Sequence, residues 1–92
     1  ASNLVVGLYD MAAGELARCG LDRAEAESAL AALFLGNAQH IASDGVEASL
    51  TGPAARGDQA TIDGHLACLD GRDRQVYELL TEELFEIAAR RK

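Results

Sequence analysis

From Ser2 to Cys19 the apolar residues Val5, Leu8, Ala12, Leu16 and Cys19 recur at steps of three and four, which stacks them on one face of a helix. The opening run Leu4-Val5-Val6-Gly7-Leu8-Tyr9 also reads as a short buried strand, but the helical period continues to residue 19 and decides for a helix. Gly20 supplies its left-handed stop. Gly7 and Gly14 share one side of this helix, where each costs about 1 kcal/mol relative to alanine and lets another backbone come close. A tight helix-helix contact is the expected compensation.

Asp22 and Glu25 have the capping-box spacing and open a second helix, whose inner side carries Ala26, Leu30, Leu33, Phe34, Asn37 and Ile41. The turn cluster Ser43-Asp44-Gly45 ends it. Residues 46–57 lack a long period and read as an ordered connection, with one helical turn at Val46 to Leu50 and the start of another at Pro53. Asp58 caps a short third helix with Ile62, Leu66 and Leu69 as its stripe, closed by Asp70-Gly71. The fourth runs from about Arg72 to Arg90 with Val76, Leu80, Leu84 and Ile87 inward, and Arg90, Arg91 and Lys92 complement the negative end of its dipole. The expected fold is all-α, a single bundle of about four main helices plus short turns over residues 1–92.

Composition thins the core of that bundle. Hydrophobic residues at 49% exclude a disordered chain, yet two Phe, two Tyr and no Trp leave Ala, Leu, Val and Ile to fill the interior. A chain of 92 residues with so modest a core commonly gains stability from a second copy or a neighbouring domain. The net charge of -7 repels phosphate backbones and anionic lipid, so neither nucleic acid nor a membrane is an expected partner. The apolar run Leu4 to Leu8 is far short of the roughly 20 residues that span a bilayer, and no basic signal-peptide segment precedes it. A cytoplasmic location follows as the expectation, with Cys19 and Cys68 as reduced, buried thiols. The chain begins at Ala1 in periodic sequence, as a segment cut from a longer protein does.

Few residues carry candidate chemistry. His65 and Cys68 have the spacing of half a metal site, but zinc takes three or four ligands and no second pair exists. His40 sits where a helix C-terminus favours it and reads as structural, with no neighbouring carboxylate and nucleophile pattern. Glu82, Glu83 and Glu86 read as a solvated face, with Arg90 supporting Glu86 at i+4. Arg56-Gly57-Asp58 spells an adhesion tripeptide, discounted because nothing points to secretion. The informative stretch is Leu50-Thr51-Gly52-Pro53-Ala54-Ala55-Arg56-Gly57-Asp58, followed by Thr61 and His65. Its plain reading is a stiff turn that permits unusual backbone angles at Gly52 and Gly57 and caps the next helix. A rigid turn displaying Thr51, Arg56 and a helix N-terminus also presents donors suited to an anionic or carbonyl-bearing ligand.

On these residues, together with the opening Ala1-Ser2-Asn3, the sequence resembles the helical domain of unknown function that follows a Rossmann-like domain in relatives of ketopantoate, pyrroline-carboxylate and deazaflavin-dependent NADP reductases. The resemblance implies a fold like the C-terminal domain of 6-phosphogluconate dehydrogenase relatives, whose helices pair in a homodimer and wall a substrate cleft. It also implies NADP or NAD on an upstream Rossmann domain, since these residues contain no GxGxxG after a strand and no cofactor site of their own. By the same resemblance His65 is the catalytic candidate, and Asn3, Thr51 and Arg56 are candidates for binding a small-molecule substrate. The alternative is a non-enzymatic helical module that binds a partner helix in an apolar groove.

Overall fold

The computed structural model describes residues 2–91, and every regular element among them is a helix. In chain order these are α1 (Ser2–Arg18), α2 (Arg23–Asp44), α3 (Val46–Ser49), α4 (Pro53–Arg56), α5 (Gln59–Cys68) and α6 (Gly71–Arg90). The four long helices follow the apolar periods, and the two single turns fall where the period breaks. The chain divides into two compact units between Gln39 and His40.

In the first unit α1 ends in a Schellman motif. The Leu21 amide donates to the Leu16 carbonyl at 3.4 Å and the Gly20 amide to Ala17 at 3.1 Å, with Gly20 at φ 107°. The Ala26 amide then donates to the Asp22 carbonyl at 2.8 Å, which places Asp22 at the cap of α2 as its spacing predicts. Ala13 of α1 and Ala26 of α2 are fully buried. The Tyr9 hydroxyl donates to the Glu27 carbonyl at 2.6 Å, and its ring meets Phe34 edge-on at 5.6 Å.

The second unit is built around Leu50, Ala54 and Ile62, all under a tenth exposed. Here α4 packs on α5 and α6, and α3 packs on α6. Two arginines of the α6 region close carbonyls at the ends of other elements: Arg74 donates to Leu66 at 2.9 Å and Arg91 to Leu50 at 2.7 Å. Arg90 pairs with Glu47 of α3 at 3.1 Å.

Several expectations change. The inner side assigned to α2 is buried only at Ala26 and half-buried at Leu30, while Leu33 is 73% exposed and Phe34 and Ile41 each 44%. Apolar period marks the face a helix can bury, and past Leu30 the described residues of that face stay exposed even where Tyr9 meets Phe34. Leu80 is likewise 43% exposed on α6. Cys19 and Cys68 are free but exposed, Cys19 just past the end of α1 and Cys68 at the last position of α5. Arg90 and Arg91 reach across to α3 and Leu50 rather than serving their own helix end or Glu86, and Lys92 lies outside the described residues. A Cβ on Gly7 or Gly14 meets nothing within 4 Å, so among the described residues no backbone supplies the close contact their spacing suggests.

Candidate functional site

The stretch from Leu50 to Asp58 folds as two consecutive local devices. Gly52 sits at φ 88°, ψ -169°, a conformation costly for any residue with a Cβ, and turns the chain into Pro53 at the first position of α4. Gly57 then adopts the left-handed conformation at φ 67°, and the Asp58 amide donates to the Pro53 carbonyl at 2.8 Å to close a second Schellman motif. Asp58 immediately caps α5: its carboxylate accepts from the Thr61 amide at 3.2 Å and the Thr61 hydroxyl at 2.7 Å. The cap therefore fills the helix N-terminus that the sequence offered to an anionic ligand, and places a negative charge there. Arg56, with a side chain 62% exposed, stands 3.7 Å from the same carboxylate.

Hydrogen bonds from the Thr61 hydroxyl and amide, with the nearby Arg56 charge, hold the Asp58 carboxyl below its ordinary value of 3.8. A carboxyl depressed in the folded state adds stability above its unfolded value and loses it as pH falls through the folded one. Helical content followed by circular dichroism is thus expected to decline below about pH 4 with a component that Asp58→Asn removes, because asparagine still caps but does not titrate. An unaltered acid profile in that variant would contradict the assignment.

His65 projects from α5 onto α6, where its Nδ1 lies 2.7 Å from the Tyr77 hydroxyl and the rings meet edge to face at 5.7 Å and 87°. The carbonyls at the ends of neighbouring elements are closed by Arg74 and Arg91, not by Arg56. Thr51 is exposed beside Gly52, and Asn3 is exposed on α1 in the other compact unit.

His40 has partners that its local sequence does not announce. The single turn of α3 brings Ser49 back to it, so Nδ1 lies 2.9 Å from Ser49 Oγ while Nε2 lies 3.0 Å from Asp44. Serine, histidine and aspartate here do not form a nucleophile relay. Ser49 is 8% exposed and gives its proton to the Gly45 carbonyl at 2.6 Å, so Oγ accepts from the ring instead of donating to it. The trio is a corner clasp.

Residues 1–84 match the family described as a domain of unknown function (DUF2520). The chain belongs to the DUF2520 family. No curated protein and no solved structure matches it significantly.

In this DUF2520 chain an apolar cleft lies within the first unit, and none of the predicted site residues lines it. About 300 Å³ in volume, it is lined in the first unit by Val5, Val6, Tyr9 and Phe34, with Asp10, Arg23 and Glu27 at the rim. The rim charges satisfy one another: Arg23 reaches Asp10 at 2.7 Å and Glu27 at 3.0 Å, and these two carboxylates raise the proton affinity of its guanidinium, Asp10 foremost. Among the described residues no group of three or more His, Cys, Asp or Glu is placed to hold a metal, and no helix is long and apolar enough to cross a membrane. The residue that sequence reasoning missed is Tyr77. Its signal was present as an aromatic with a polar tip beside Val76 on the inward face of α6.

Proposed function

We propose that this DUF2520 chain is the C-terminal dimerisation and substrate-cleft domain of a cytoplasmic NAD(P)-dependent oxidoreductase. Its upstream Rossmann domain carries the dinucleotide, and hydride chemistry belongs to that cofactor. The observation that carries the reading is the uncovered apolar surface of the two long N-terminal helices, with Leu4 77%, Val6 67% and Leu33 73% exposed. A second copy of α1 and α2 is the occupant that suits it, since Gly7 and Gly14 leave open space where a foreign backbone can approach. Support for the substrate role at the Leu50–Asp58 turn rests on Arg56 alone, whose side chain is 62% exposed and only loosely paired with Asp58 at 3.7 Å, so its guanidinium is accessible to an anion although the α5 N-terminus is not.

A non-enzymatic interaction module is favoured by a different observation, that Arg56 and His65 each already have an internal partner. The two readings part in the full-length protein. Arg56→Ala and His65→Ala are expected to lower turnover or substrate affinity about tenfold or more while leaving the melting temperature nearly unchanged, which is the behaviour of exposed residues that touch a ligand. Loss of several degrees of melting temperature with ligand binding intact would withdraw both residues from the site and leave the module reading.

A further inference from the structure

We infer that Tyr77 is a positioning residue that fixes His65 as an outward hydrogen-bond donor, matched to an acceptor oxygen such as a carbonyl or carboxylate. The Nδ1 to hydroxyl separation of 2.7 Å is at the short end of the range for a ring N–H donor, about 2.7–3.2 Å with a mode near 2.9–3.0 Å, and suits a hydroxyl donor. The phenol is also the stronger donor of the two neutral groups, and its only described bond is the one to His65. The proton between them therefore belongs to Tyr77. In a neutral imidazole one nitrogen accepts and the other donates, so an Nδ1 that accepts from the phenol leaves the ring proton on Nε2.

That nitrogen has no partner among the described residues, and His65 is exposed. The edge-to-face contact at 87° holds the ring plane and adds an orientation that the hydrogen bond by itself leaves loose. The pair bridges α5 and α6, two elements packed on each other, so the aim of Nε2 is set by tertiary structure rather than by a mobile side chain. A ring that presents N–H selects ligands by an acceptor atom and disfavours those presenting a donor. The inference deepens the reductase reading and rests on it only for what the acceptor oxygen is, the carbonyl to be reduced or a neighbouring carboxylate.

The test reads the proton directly, without substrate. The chain has two histidines, so ¹⁵N-labelled protein compared with its His65→Gln variant assigns the His65 ring in a long-range ¹H–¹⁵N spectrum. At alkaline pH, with the ring neutral, wild type is expected to show protonated Nε2 and a hydrogen-bonded, unprotonated Nδ1. Tyr77→Phe is expected to move the Nδ1 resonance to that of an unbonded ring and release the ring into exchange between tautomers. A wild-type ring carrying its proton on Nδ1, or a folded Tyr77→Phe whose ring resonances match wild type, would overturn the assignment. Should Tyr77→Phe fail to fold, the wild-type spectrum still decides. A failure of the reductase reading leaves this result untouched, because the tautomer is measured in the free protein.

Discussion

Ile62→Ala is expected to lower the stability of this chain by about 2–5 kcal/mol, the usual cost of removing a buried isoleucine's outer carbons and leaving a cavity. At 3% exposure Ile62 is the most buried of the side chains forming the centre of the second unit, the others being Leu50 and Ala54 on two other segments. Small residues offer little surface to slide into the gap, so relaxation recovers little of the loss. Domains of this length hold roughly 5–15 kcal/mol in total, and the substitution removes a large part of it. In urea, with a slope of about 1–3 kcal/mol per molar, the unfolding midpoint is expected to fall by at least about 0.7 M and by up to about 5 M. Glu82→Ala, on the exposed face of α6, serves as the control and is expected to stay within about 0.5 kcal/mol of wild type. Equal effects of the two substitutions would show that the second unit is not organised around Ile62.

Gly7→Leu is expected to separate association from folding. Among the described residues nothing lies within 4 Å of a Cβ at this position, so a single copy accepts the side chain and gains helix propensity, about 0.5–1 kcal/mol. In a dimer whose helices approach at Gly7 and Gly14, the same side chain overpacks the contact at a cost of about 1–3 kcal/mol on each side. The two sides together cost about 2–6 kcal/mol, so the dimer dissociation constant is expected to rise by roughly thirtyfold at the least and by about four decades at the most, a factor of ten for each 1.4 kcal/mol. Helical content by circular dichroism is expected to stay the same or increase. Sedimentation equilibrium over a micromolar concentration range reads the first quantity. A wild-type chain that stays monomeric throughout, or a variant that dimerises as tightly as wild type, would remove α1 from the interface and with it the support for the proposed dimer.

The elements of this protein are legible in its sequence because they are set by local rules. A period of three to four apolar steps, Gly20 after the first helix, Asp58 before the third and Gly52-Pro53 and Gly57 around a single turn each act within a few residues, and each is found in the structure where the pattern places it. That the chain belongs to a domain family of unknown function was legible as well, from the contiguous stretch of caps and turns at Leu50 to Asp58. Burial was less so. The stripe on α2 is as apolar as a core face, yet Leu33 and Phe34 stand exposed, because periodicity records what a helix can cover and the number of covering elements is a property of the whole arrangement. Pairings between side chains far apart in sequence were not legible at all. His65 meets Tyr77 twelve residues on, Ser49 returns to His40, and Arg90 reaches Glu47 across 43 positions, each decided by how α3, α5 and α6 pack. Local sequence chooses where a helix begins and ends. Only tertiary packing chooses which nitrogen of His65 faces outward and which arginine closes which carbonyl.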